Sequence, residues 1–442
     1  MTGGAPPVER SRAASPEDAS RSAPSRNANS MSAIGLKRAL AAGEQAAFLW
    51  STRSTVARSS AVTFEVLAHL DERVSGLAFR LSERPAVAEW LLRHDAPAFR
   101  SGFAFVTAVV ALRNGVDQVV DNLLAQLESE PALLAPLSSA LSWLEYREVR
   151  RYVEHWLAMP TPALVRLGIA AAVAHRMDPG TALDRALDAD LPVLRATGLE
   201  AVGRLSLRAH LPVLIQRLDD EDDACRFWAA WSAARLGDQD GIPVLGRFAA
   251  TPGAFALPAC DLALRVLDPD QAIRAQRRLL SIPGNEGVAT ASAGIIGDPR
   301  LAGWLLEAMA SPALARRAAA AFCVMAGCDL RRDDLDASAP PGAVPQADPS
   351  SGAALEGEEE EDELLWPDLD RLRQWWQGNR QAFTPGVRYL AGLPIRPEDL
   401  PQILLAGNQR QRAAAALELA LLNPEAPVLD VEAPAHRQRG PS

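Results

Sequence analysis

From Ile34 to about Arg332 apolar residues recur three and four positions apart, with few β-branched runs and no alternation of period two. This spacing predicts helix almost throughout and no strand. Turn signals interrupt it at regular distances: Asp178-Pro179-Gly180, Gly237-Asp238, Asp268-Pro269, Gly297-Asp298-Pro299 and Gly327-Cys328. Arg166, Arg195, Arg226, Leu257, Glu286 and Arg316 fall in one column, with steps of 29, 31, 31, 29 and 30 residues. A period this steady predicts stacked units of two helices each, an all-α fold of the α-solenoid class.

Two further columns indicate which face each unit buries. Seven residues after the first column stand Val173, Val202, Ala233, Leu264, Ala293 and Cys323, and a second, mostly small column reads Ile169, Gly198, Ala229, Cys260, Ala289 and Ala319. Small side chains let helices approach closely, so these columns are expected to face the neighbouring unit. Gly237, Gly297 and Gly327 stand where a left-handed cap would end the first helix, and Pro243 suits the first turn of a second helix. Weaker copies run upstream, from Phe99 to Leu112 with Val116 to Leu127, and from Leu133 to Leu144 with Arg147 to Leu157; Gln411 to Leu422 reads as one more first helix.

Composition sets the borders of this array. Residues 1–32 are rich in Gly, Pro and Ser with almost no large apolar side chain, and are expected to form a disordered tail; Met31, where apolar patterning begins, is a second candidate start. The array itself is placed at 33–332. A Pro-rich stretch followed by Glu358 to Glu363 makes 333–363 a disordered acidic linker, since like charges in a row repel and extend the chain. A helical segment that packs on the solenoid is expected over 364–425, and 426–442 is left as a C-terminal tail. The chain of 442 residues has 45 basic and 55 acidic side chains, a formal charge of −10, so there is no general excess of cation with which to bind a nucleic-acid backbone. No apolar stretch approaches the roughly 18 residues of a membrane span. Four cysteines and no hydrophobic signal segment lead to an expectation of a cytoplasmic protein with free thiols.

The repeating arginine, the paired small residues, the Leu-Gly-Asp turn and the second amphipathic helix resemble HEAT repeats, especially the short variety of phycobilisome-lyase-like proteins; the clearest copy is Cys225 to Asp238. A more particular resemblance runs from His69 to about Arg439. Through His69 to Arg73, Arg226 to Gly237, Gly294 to Asp298, Leu365 to Asp368, Trp375-Trp376, Arg388 to Gly392 and Gln409 to Ala415, the chain is similar to an uncharacterised bacterial HEAT-repeat family. Members of that family are often encoded beside type VI secretion genes. The resemblance implies a scaffold or adaptor whose partners are proteins, type VI secretion components among them, and it brings no biochemical activity. The alternative it leaves open is a HEAT-like enzyme, a lyase or a metal-dependent hydroxylase.

Candidate chemistry is sparse. HEAT-type di-iron hydroxylases carry repeated His-Glu pairs, and no such dipeptide occurs among the six histidines. Cys323 and Cys328 are five apart without further zinc-ligand spacing, and Cys260 and Cys323 fall in packing columns, where a thiol acts as a small hydrophobe. No phosphate-cradling loop, nucleophile elbow or acid pair stands out, so no catalytic residue, metal, cofactor or small-molecule substrate is assigned. The arginine column is read as structural, each guanidinium pairing with an acid of its own or the preceding loop. Trp228 and Trp231 stand in otherwise small columns, either filling a gap or protruding as contacts for a partner. Trp375 and Trp376 follow the acidic run on a short helix beginning near Asp368. Adjacent rings cannot share one core stripe, so one is expected to dock on the solenoid and the other to face a partner.

Overall fold

The computed structural model describes residues 33–93, 100–127, 129–340 and 364–438. The tail expected over 1–32, and Glu358 to Glu363 with the rest of 341–363, lie outside the described residues. Three helices open the fold: α1 (Ala33–Val56), α2 (Phe64–Ser82) and α3 (Ala86–Arg93). Pairs follow, α4 (Arg100–Asn114) with α5 (Asp117–Gln126), α6 (Leu134–Trp143) with α7 (Tyr146–Ala158), and α8 (Pro162–Ala174) with α9 (Thr181–Leu187). Next come α10 (Pro192–Leu205) with α11 (Leu211–Gln216), α12 (Asp223–Arg235) with α13 (Gly241–Ala250), α14 (Ala256–Val266) with α15 (Pro269–Leu280), and α16 (Glu286–Ile296) with α17 (Ala302–Ala308). The unpaired α18 (Ala315–Ala326) ends the array.

The even-numbered first helices from α4 to α18 touch one another in succession, which is the stacking expected of an α-solenoid. All six members of the arginine column lie in the first five residues of such a helix. The small column is buried at every position, and a Cβ on Gly198 would lie 3.2 Å from the Ala186 side chain of α9. In the other column Val202, Ala233, Leu264 and Ala293 are buried, whereas Val173 and Cys323 are half-buried. Gly237, Gly297 and Gly327 all take the left-handed backbone that ends these helices. At the same turn of α8 and α10 the left-handed residues are Arg176 and Ser206, which carry side chains there at a conformational cost.

The segment after the array is more closely integrated than a linker, a helical piece and a tail. Residues 333–340 begin it: Leu335 is buried, and β1 (Asp336–Ala337) pairs antiparallel with β2 (Trp366–Pro367). Then come α19 (Leu369–Asn379), the hairpin of β3 (Tyr389–Leu390) and β4 (Leu393–Pro394), α20 (Leu400–Ala406) and α21 (Gln409–Leu422). These two-residue ladders lie after the array, for which no strand was expected, and are too short to leave an alternating pattern. Asp368 and Asn408 accept hydrogen bonds from the Arg371 and Gln411 amides, so each fixes the start of its helix with a side-chain cap.

Residues 423–438 also differ from the tail expected from 426 onward. They run back along the array as an ordered strap ending in α22 (Ala435–Gln438), with Val431, Ala433 and Ala435 buried.

Candidate functional site: the C-terminal strap and the arginine-lined cavity

The last turn of any helix leaves carbonyl groups without partners, and in a stack of parallel first helices these collect along one edge. The segment 364–438 supplies donors to that edge. Tyr389 N–H donates to Gly297 O at 2.8 Å, Ala391 N–H to Val324 O at 2.7 Å, Gly392 N–H to Met325 O at 3.0 Å and Val428 N–H to Arg204 O at 2.9 Å. Arg388 donates to Ile295 O and Ile296 O at 3.3 and 3.2 Å, and Arg437 to Ala174 O at 2.7 Å. The hairpin sits so tightly that a Cβ on Gly297 would lie 2.2 Å from Tyr389 O, and one on Gly327 would lie 2.4 Å from Ala391 O.

Ionic contacts carry the segment to the opposite end of the fold. Arg53 donates to Asp71 at 2.7 Å and, through Nη1, to Glu432 O, also at 2.7 Å; the Ala435 amide caps the same Asp71 at 2.7 Å. Gln409 N–H donates to Val62 O at 2.8 Å, and the Arg412 guanidinium lies 4.6 Å from the Phe64 ring centroid. Helix α21 therefore bridges the beginning and the later part of the array. It is buried on nearly every side, with Gln409, Gln411, Arg412 and Glu418 among its buried residues.

A cavity of about 480 Å³ opens between α21, the β3–β4 hairpin and the ends of α12 and α14. Arg235, Arg265, Arg388, Arg396 and Glu418 are in its wall. Glu418 accepts from Arg265 Nη1 at 2.7 Å and from Arg388, and Asp261 accepts from Arg265 Nη2 at 2.7 Å, so two carboxylates answer two guanidiniums. Arg235 differs. It is fully buried and bonded only to neutral oxygens, those of Pro424, Ser206 and Ala426, while its Nε is unpartnered. Burial first, and then the neighbouring Arg208 cation, push its pKa down to about 10. Arg396 is exposed at the wall and has no ion pair among the described residues. The helix C-termini nearby offset part of this charge; what remains suits an oxyanion, and Leu422, 52% exposed, gives the same wall an apolar element.

The tryptophans singled out in the sequence do not converge on this cavity. Trp228 is half-buried and Trp231 is buried at 9% exposure; their ring centroids are 5.6 Å apart, edge to face, with Arg204 over both. Phe227 meets Trp228 edge to face at 5.0 Å and stacks on Phe255 at 4.5 Å, so on its other side it packs toward the start of α14. Trp375 and Trp376 both contact Phe322, with centroids 6.0 and 5.7 Å away. This corrects the expectation that one ring docks and the other stands free: two adjacent rings straddle a single phenylalanine on α18, and each remains half-buried.

The arginine column pairs with acids only in part. Arg195 holds the buried Asp220 through two contacts of 2.8 Å. Burial raises the Asp220 carboxyl, but Arg195, the Asp222 amide and Arg217 outweigh it and hold the group below the usual range. Arg226 pairs with Asp223, whereas Arg166 reaches Thr197 at 3.4 Å; the contacts of Arg316 include the Trp366 ring. His175, at the end of α8, contacts Leu141 O at 3.0 Å and Arg437 at 2.7 Å. Burial and the Arg437 cation push its pKa down to about 4, so it is neutral at pH 7. Cys323, read as a packing residue, holds its sulfur 3.1 Å from that of Cys328.

Sequence reasoning missed Arg235, Arg388, Arg437 and Glu418, which tie the C-terminal segment to the array. A glutamate inside Ala-Ala-Ala-Ala-Leu-Glu-Leu-Ala-Leu-Leu was the available signal, since α21 has no polar stripe into which it could fall.

Among the described residues no three His, Cys, Asp or Glu side chains group to hold a metal ion, and no helix is long and apolar enough to cross a membrane. No curated protein matches the chain. Residues 181–256, from α9 to the first residue of α14, match the family profile of HEAT repeats.

Proposed function

We propose that the protein is a non-enzymatic scaffold or adaptor that holds other proteins, and that its setting is a type VI secretion apparatus. HEAT repeats generally serve protein interaction, which supports the first part; the gene neighbourhood of the similar bacterial family supports the second. The observation that carries the reading is the cavity beside α21, where the exposed Arg396 stands next to the half-exposed Leu422. That combination fits a partner segment bearing a carboxylate beside an apolar side chain.

Affinity capture of the full chain from its native cell tests this, with Arg396→Glu/Leu422→Glu as the comparison; both positions are on the cavity wall, and circular dichroism checks that the fold persists. The expected result is a stoichiometric protein partner that the double variant loses, with type VI components among the captured chains. Equal capture by both proteins would contradict the cavity as the contact. Stoichiometric iron or zinc in the purified protein would contradict the non-enzymatic reading.

A further inference from the structure

Helix α18 ends in a glycine cap: Gly327 has φ +77°, and its N–H donates to Cys323 O at 2.9 Å. In caps of this type the residue after the glycine packs against the residue four positions before it. Elsewhere in the array those two positions hold Ala233 with Asp238 and Ala293 with Asp298; at the end of α18 both are cysteines, Cys323 and Cys328. The cap geometry therefore forces two thiols into contact, and their sulfurs are 3.1 Å apart. About 1 Å of approach separates this from the ~2.05 Å of a disulfide bond. The pair lies under the β3–β4 hairpin, whose Ala391 and Gly392 amides bond to Val324 O and Met325 O of the same turn.

The two residues differ in exposure. Cys323 is half-buried and Cys328 is 4% exposed, while the isolated Cys225 and Cys260 are 0% and 1% exposed. We propose that Cys323 and Cys328 form a redox modification site that closes to an intrachain disulfide, with a peroxide as oxidant. The Cys323 thiolate attacks hydrogen peroxide: an S–O bond forms, the O–O bond breaks, and hydroxide leaves and takes up a proton as water. The Cys328 sulfur then attacks the sulfenic sulfur, the S–S bond forms, and the second oxygen leaves as water. Two thiols are oxidised by two electrons, and one peroxide is reduced to two waters. The hydrogen bond from Cys328, and then burial, hold the Cys323 thiol well above its usual range, so the reaction is expected to accelerate as pH rises.

The test treats the reduced full chain with hydrogen peroxide, alkylates the remaining thiols and maps the peptide of residues 318–331. The expected product is that peptide lighter by two hydrogens, restored by dithiothreitol, with Cys225 and Cys260 still alkylated. Cys328→Ser should abolish the change and leave oxygen adducts on Cys323. Three results would overturn the proposal: oxygen adducts on Cys323 in the unaltered chain, disulfide-linked dimers through it, or an unchanged peptide when Cys225 and Cys260 have already begun to oxidise.

Discussion

His175 shows how the fate of one side chain records the placement of a distant segment. Burial of its ring and then the Arg437 cation against it favour the neutral form, and they outweigh the contact with Leu141 O, which favours the charged one. A histidine with a depressed pKa binds fewer protons folded than unfolded, so its contribution is intact above the ordinary value of about 6.5 and lost as pH falls toward about 4. Discounted for partial exposure, the loss is about 2 kcal/mol over that window. Urea unfolding at pH ~7 and pH ~4.5 measures it. His175→Gln is expected to lose about 2 kcal/mol less than the unaltered chain between those conditions, and parallel losses would contradict the assignment. His436, also pushed down by burial, titrates in both proteins and cancels from the comparison.

At the scale of the element, spacing was legible and docking was not. The period of about 30 residues placed α8, α10, α12, α14, α16 and α18, because a helix that must bury one stripe against its neighbour repeats that stripe in its sequence. The glycines at the ends of α12, α16 and α18 were legible for the same reason. Three features were hidden. Helix α21 carries no stripe because it is buried on nearly every side. The strap has almost no periodicity because its cohesion comes from backbone amides and arginines that meet helix ends. Trp375 and Trp376 misled because sequence gives the angle between adjacent rings but not that one phenylalanine lies between them.

The cap at Gly327 tests the docking of the hairpin. Alanine there must hold a left-handed backbone, at a cost of roughly 1–2 kcal/mol, and its Cβ would meet Ala391 O. Gly327→Ala is therefore expected to lower stability by at least about 2 kcal/mol and to loosen residues 389–394. Gly378→Ala in α19, where the added carbon meets nothing within 4 Å, serves as the control and should be neutral or slightly stabilising. Equal effects at the two glycines would contradict the close approach of hairpin and cap.

For the molecule as a whole, contacts between neighbouring repeats build the stack, and the C-terminal segment adds contacts that no solenoid period anticipates. Glu418 on α21 joins Arg265 to Arg388, Arg235 ties α12 to Pro424 and Ala426, and Arg53 reaches Glu432 and Ala433 from the first helix. An open array unfolds piecewise when its end repeats fray. A C-terminal segment that links α18, through the hairpin, to α1, through the strap, opposes such fraying and makes the ends of the array depend on each other. It also covers the edge where the first helices end and leaves the cavity beside α21 open.

Hydrogen exchange read by mass spectrometry over residues 424–438 tests the central claim most directly, since the Val428 amide is bonded to Arg204 O and the Ala435 amide to the buried Asp71. The account predicts protection of this peptide comparable to that of α8 and α10, lost together with protection at α1 and α2 when Arg437 and Arg53 are both changed to alanine. Exchange of residues 424–438 at the rate of an unstructured chain, with α8 and α10 still protected, would contradict it.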